Sequence, residues 1–203
     1  QSEHFTLRLG AYQAKLEEAD PLTGETCRVL WIKGSGGDLR TASRALFSSL
    51  YLDRLLALRD RYLGEAHEDG MVGRYAHCTF NLNGRAASID TPLHSSLPYA
   101  HVDHMHPDAV IAIAAMANSQ AITRQVFEGT VGWMPWLRPG YELGPQLAAC
   151  NAANPGLRGI VLGGHGLFSW GDTAKSCYEN TVDLIERAQT WLAKRVILAV
   201  PLM

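Results

Sequence analysis

From Cys27 to Ile32 the chain carries a short run of apolar and β-branched residues that breaks at Lys33-Gly34-Ser35-Gly36-Gly37, the pattern of a strand feeding a glycine-rich turn. Downstream, Leu46, Leu50, Leu55 and Leu58 recur at near-helical spacing with arginines between them, which predicts a helix over Thr41 to Tyr62. Ala109 to Met116 is strongly apolar and follows Pro107. Proline suits a helix start, where its missing N–H costs little, so a buried helix is expected there. Val131 to Trp136 reads as a strand, and Tyr141 to Ala153 as a helix that stops at Asn154-Pro155-Gly156. Gly159 to Leu162 reads as a buried strand, the next turn carries His165, and Leu167 to Trp170 extends again. Asp172 or Thr173 then caps a long helix reaching about Lys194. No repeat, linker or low-complexity tract interrupts the alternation, so residues 1–203 predict a single α/β domain.

Composition narrows the classes of partner. The 203 residues are 47% hydrophobic and 19% charged, with a formal net charge of -2, which suits one domain with a substantial core. Basic residues are scattered and nearly cancelled by acidic ones, so no nucleic acid partner is expected, whereas a small phosphorylated metabolite fits. Cys27, Cys78, Cys150 and Cys177 lie far apart without a C-x-x-C pair. That spacing argues against a disulfide framework or a thiolate zinc site and for a reducing, cytoplasmic setting. No secretory pattern and no membrane-spanning apolar run is present. Gln1 is not an initiator methionine and the chain stops at Val200-Pro201-Leu202-Met203, so a longer parent chain is expected.

The chemistry concentrates in histidines. His104 and His106 stand two positions apart in Val102-Asp103-His104-Met105-His106-Pro107, and on an extended strand such residues share a face. His165, in Gly163-Gly164-His165-Gly166-Leu167, offers a third imidazole. Three neutral nitrogens leave one position of a tetrahedral ion open, as at catalytic rather than structural zinc sites. Plainer roles compete: an isolated histidine is usually a hydrogen-bonding residue, Asp90 can cap the segment at Pro92, and Lys33 to Gly37 can be only a tight turn. His94, four residues past Asp90, is placed to support a ligand, while His101 and Asp103 alternate away from the ligand face and are placed instead to orient an imidazole. His4, His67 and His77 are expected to be structural, and Trp133, Trp136 and Trp170 to serve the core or a subunit interface.

Four stretches together resemble the class II aldolase/adducin superfamily: Leu30 to Leu39, Ala86 to His94, His101 to Ala109 and Gly163 to Thr173. They are similar above all to the aldolase portion of bifunctional rhamnulose-1-phosphate aldolase/lactaldehyde dehydrogenase proteins. The resemblance implies zinc held by His104, His106 and His165, and an acid/base at Asp90, where many relatives carry glutamate. It also implies a substrate phosphate held at Ser35, Gly36 and Ser88. A class II aldolase-like three-layer α/β/α fold with a largely antiparallel central sheet follows, in a homotetramer. The expected reaction is cleavage of a ketose 1-phosphate, L-rhamnulose 1-phosphate in rhamnose catabolism, into dihydroxyacetone phosphate and L-lactaldehyde. An epimerase or dehydratase of the same superfamily, or an adducin-like scaffold without catalysis, are the alternatives. The chain departs from the family in one place, because Gly10-Ala11-Tyr12-Gln13-Ala14-Lys15 contains no Gly-Gly-Asn-Thr-Ser phosphate loop. No G-x-G-x-x-G turn between strand and helix occurs either, so a fused dehydrogenase would lie outside this chain.

Overall fold

Gly10–Ala19 forms strand β1 and Thr26–Lys33 forms β2; the computed structural model describes residues 10–37, 39–82 and 85–199. Between the strands, Asp20 Oδ1 accepts the N–H groups of Leu22 at 2.8 Å and Thr23 at 3.0 Å, the local bonding by which aspartate reverses a chain. The two strands pair antiparallel, from Gln13 opposite Ile32 to Ala19 opposite Thr26. Phe47–Tyr51 forms β3 and pairs with β2, setting Leu50 opposite Leu30.

Strand β3 lies inside the segment whose leucine spacing predicts one helix over Thr41 to Tyr62. Short 3-10 turns at Leu39–Thr41 and Arg44–Leu46 precede the strand, and helix α1 spans only Leu52–Ala57. A spacing of four fits the period of a strand as well as that of a helix. Pairing with β2 buries Ser48, Ser49 and Leu50 and decides the outcome.

The rest follows the expected alternation more closely. Helices α2 (Glu68–Arg74) and α3 (Thr91–Ser96) lead into β4 (His101–Met105), then α4 (Asp108–Ala114) and α5 (Ser119–Val126). Strand β5 (Val131–Met134), α6 (Leu143–Ala153), β6 (Gly159–Leu162), β7 (Gly166–Gly171) and α7 (Ala174–Ala199) complete the fold. At the start of α7, Thr173 Oγ1 accepts the N–H of Ser176 at 3.1 Å while Ser176 Oγ accepts that of Thr173 at 3.0 Å, a reciprocal cap. No helix of the described residues is long and apolar enough to cross a membrane.

The strands make one seven-stranded sheet in the order β3-β2-β1-β4-β7-β6-β5, antiparallel except for the β5–β6 pair. Alternation along its central strands sends side chains to two helical layers. Val161 and Leu167 join Val110, Ile113, Phe127 and Leu184 beneath α4, α5 and α7. Ile160, Leu162, Phe168 and Trp170 join Leu93, Leu143 and Leu147 beneath α3 and α6. Each such buried side chain contributes about 1.5–3 kcal/mol of transfer free energy. A third cluster packs Leu30, Ile32 and Leu50 against Leu52, Leu55, Met71, Tyr75 and Tyr141. The result is a three-layer α/β/α domain. Its β4 is an interior strand between β1 and β7, so residues at its end are held on both sides.

Candidate metal centre

His104 is fully buried on β4, opposite Phe168 of β7. Its ring stacks on the Phe168 ring with centroids 4.1 Å apart and planes 11° from parallel, which fixes its rotation. His104 Nδ1 lies 3.2 Å from the carbonyl oxygen of Leu167. A carbonyl can only accept, so Nδ1 carries the hydrogen and Nε2 presents a lone pair.

His106 comes just after β4 ends at Met105, before Pro107, which serves as the N-cap of α4. The pair therefore straddles the strand end rather than lying within it. The ring still turns toward its neighbour, with His104 and His106 centroids 4.6 Å apart. His165 sits in the turn between β6 and β7. That turn is pinned by bonds from Gly163 N–H to Met134 O at 2.8 Å, Gly164 N–H to Ala114 O at 2.9 Å and His165 N–H to Leu162 O at 3.0 Å.

One ligand atom from each of His104, His106 and His165 lies within 4.8 Å of the others. His104 Nε2 and His165 Nε2 are 3.3 Å apart. Nitrogens about 2.0–2.1 Å from a tetrahedral zinc ion stand roughly 3.3 Å from each other, so this separation fits a shared ion. Among the described residues no carboxylate or thiolate joins the cluster, which leaves a fourth direction for another ligand.

Electrostatics favour the metal-binding form. Burial holds His104 well below the usual imidazole range, reinforced by the neighbouring His106, His165 and His94 and opposed by the bond to Leu167. Burial and then His106 lower His165 to about 4, and burial lowers His106. All three are neutral near pH 7, as metal ligation requires.

Gly166 makes this packing feasible. A Cβ at that position would stand 2.6 Å from Met105 O and 2.7 Å from His106 Cδ2, too close for any side chain. The glycine after His165 thus lets β7 approach the end of β4.

Asp90 lies at the start of α3, outside the ligand cluster, and caps the helix with no side-chain bond. Burial raises its carboxyl above the ordinary range, partly offset by a hydrogen bond from Ser88 and the charge of Lys33. Such a group exchanges protons nearer neutrality than an exposed aspartate does. Ser88 is buried and its Oγ accepts the backbone N–H of Asp90 at 3.0 Å. The glycine turn runs beside this segment: a Cβ on Gly34 would stand 2.6 Å from Ala86 O. Ser35 and Gly36 are exposed on that turn, while Lys33 is buried with Nζ 2.9 Å from Gly36 O.

Other expectations resolve differently. His101 and Asp103 face away from the ligand cluster. His101 Nδ1 bonds Tyr12 Oη at 2.6 Å, and Asp103 accepts from Thr181 of α7 at 2.6 Å, so the Leu167 carbonyl, not either of them, orients His104. His94 is fully buried beside the stacked His104 and Phe168 rings, with centroids 6.4 and 5.3 Å from theirs, and burial lowers it to about 3. Trp170 is buried, Trp133 is half-buried with Nε1 donating to Ser119 at 2.9 Å, and Trp136 is 63% exposed. His4 lies outside the described residues. Phe168 and the Leu167 carbonyl escape a reading of side-chain motifs, because one acts by stacking and the other is backbone.

An antiparallel-rich sheet between helices, with three neutral imidazoles converging near the end of an interior strand, is an arrangement that could hold a metal ion. The sequence profile of the Class II Aldolase and Adducin N-terminal domain matches residues 25–192, and the chain belongs to that family. The N-terminal class II aldolase domain of a conserved protein from Thermoplasma acidophilum superposes with a TM-score of 0.82 at 29% identity, covering 93% of this chain and 85% of that one. The L-fuculose-1-phosphate aldolase of Thermus thermophilus shares the fold at 15% identity and a TM-score of 0.59, covering 97% and 88% of the two chains. A Bacillus subtilis (strain 168) protein named an uncharacterized oxidoreductase, YuxG, is 36% identical over 187 residues, or 92% of this chain and 27% of that protein. The chain thus spans about a quarter of that relative's length.

Proposed function

We propose that this domain is a zinc-dependent aldolase that cleaves a ketose 1-phosphate, L-rhamnulose 1-phosphate, to dihydroxyacetone phosphate and L-lactaldehyde. The observation that carries the reading is the 3.3 Å approach of His104 Nε2 and His165 Nε2, with the His104 tautomer set by Leu167 O. Zinc at these imidazoles would supply Lewis acidity toward adjacent carbonyl and hydroxyl oxygens of the sugar. The protein's own groups handle protons and position. Asp90 takes the proton of the hydroxyl on the aldehyde-forming carbon, the adjacent carbon–carbon bond breaks, and its electron pair stays on the ketose fragment as an enediolate. That fragment then gains a proton at carbon and leaves as dihydroxyacetone phosphate. Ser35, Gly36 and Ser88 hold the phosphate so that the reacting carbons meet the imidazole cluster.

The choice of sugar rests on the four motif stretches. A homotetramer, a cytoplasmic setting and a dehydrogenase segment elsewhere in a longer chain belong to the same proposal, the last supported by the length and name of the Bacillus relative. Metal analysis paired with a coupled assay for dihydroxyacetone phosphate tests the reading. Rhamnulose, fuculose and ribulose phosphates are offered in turn. Release from the first supports it; release from none of them removes it, and an epimerised or dehydrated product would assign a sister reaction.

A further inference from the structure

The glycine turn is braced by a residue that stands outside the four motif stretches. Arg85 Nη2 donates to the carbonyl oxygen of Ser35 and, at 3.2 Å, to that of Gly36. Lys33 Nζ reaches the same Gly36 oxygen at 2.9 Å. Gly34 leaves room for this arrangement, since a Cβ there would stand 2.7 Å from Arg85 Nε and 2.8 Å from Arg85 Cγ.

The carbonyl bonds settle where the amides point. No peptide of the described residues is cis, and in a trans peptide the C=O and the following N–H project to opposite sides. With the Ser35 and Gly36 oxygens turned toward Arg85, the N–H groups of Gly36 and Gly37 turn away from it. Both glycines have positive φ, 73° and 79°, and both are exposed. Neither N–H has a protein acceptor among the described residues. Arg85 forms no ion pair with a carboxylate among them either, so its charge acts on the two peptides. A cation bonded to a peptide oxygen polarises the N–H on the far side, and successive N–H groups of a turn make an anion-binding concavity.

We propose that Arg85 is the positioning residue of the phosphate subsite, gripping the Ser35 and Gly36 carbonyls so that the Gly36 and Gly37 N–H groups are presented to a phosphate monoester. This inference rests on the reading of the glycine turn as the phosphate site. It adds the residue that shapes the turn.

Calorimetric titration of the purified, metal-loaded protein with inorganic phosphate and with dihydroxyacetone phosphate tests it, using dihydroxyacetone as the uncharged control. Arg85→Ala is expected to weaken both phosphates by roughly tenfold or more and to raise KM for the sugar phosphate with kcat little changed. Dihydroxyacetone binding and metal content stay at the wild-type level. Arg85→Lys recovers part of the loss, because an ammonium keeps the charge but lacks the planar fork; if the alanine variant fails to fold, the lysine variant carries the same comparison. Phosphate affinity unchanged in the variants overturns the inference, as does an equal loss of phosphorylated and unphosphorylated ligands. Absence of phosphate binding by the wild-type protein overturns it together with the phosphate site. Failure of carbon–carbon cleavage alone, with phosphate binding intact and sensitive to Arg85, removes the aldolase reading and leaves this one standing.

Discussion

At the level of single residues, the histidine cluster combines ligand chemistry with close packing. Replacing His104 removes both a nitrogen and the ring stacked on Phe168. His104→Ala is expected to lose metal by more than the roughly 10–100-fold that outer hydrogen-bond partners command, and mass-spectrometric metal analysis of the purified variant checks this. Retention of stoichiometric metal would rule out the three-histidine site. Gly166 is the second sensitive position. A methyl group there meets Met105 O and His106 Cδ2, so Gly166→Ala should destabilise by about 1–3 kcal/mol and lower metal content along with it. Denaturant melts and metal analysis on one preparation read both effects. The sequence displays this glycine beside the histidine, but the need for it arises from the approach of β7 to β4.

At the level of elements, signals that are local were legible. The end of β2 in a glycine turn, the strand–turn–strand around His165 and the start of α7 all follow from short stretches with turn and cap residues. Thr173 and Ser176 bond reciprocally at the α7 start. Thr173→Ala should therefore cost about 1 kcal/mol of stability in a thermal or chemical melt, leaving metal content alone. A melt unchanged by the substitution would assign the cap no energetic weight. The segment over Thr41 to Tyr62 failed to declare itself because the Leu46–Leu50 spacing of four suits both periods, and pairing with β2 makes Phe47–Tyr51 a strand while Leu52–Ala57 stays helical. His106 shows the same limit on a smaller scale: its spacing from His104 implies a shared strand face, yet the strand stops one residue earlier.

For the whole molecule, protons would compete with a bound ion for the imidazoles of His104, which is buried, and of His106 and His165, which are partly buried. In the folded state His165 and His94 titrate near 4 and 3, with His104 and His106 also lowered, whereas an unfolded histidine titrates near ~6.5. Between those limits the unfolded chain binds more protons than the folded one, so stability falls as pH drops through that window. Metal-free protein should melt at progressively lower temperature from about pH 6.5 downward. A melting temperature flat from pH 7 to roughly pH 4 would mean that the imidazoles are not held neutral by the fold. A bound ion adds to this, contributing about 4 kcal/mol at a free concentration a thousandfold above Kd. Chelation at pH 7 is accordingly expected to lower the melting temperature in the wild-type protein and to change little in His104→Ala, which differential scanning calorimetry compares directly.

The amino-acid sequence by itself determined which groups are available: two imidazoles in one short segment, a third before Gly-Leu, a carboxylate ahead of a short helix and a glycine turn after an apolar strand. These are properties of residue type and near neighbours, so they survive in one dimension. Only the tertiary structure decided that nitrogens 61 positions apart in the chain meet at 3.3 Å, that a backbone carbonyl selects the His104 tautomer, and that Arg85 reaches across 50 positions to the turn. Those facts depend on strand register and on which strands become neighbours, and such long-range pairing follows from burial of the sheet against its helices rather than from any local pattern.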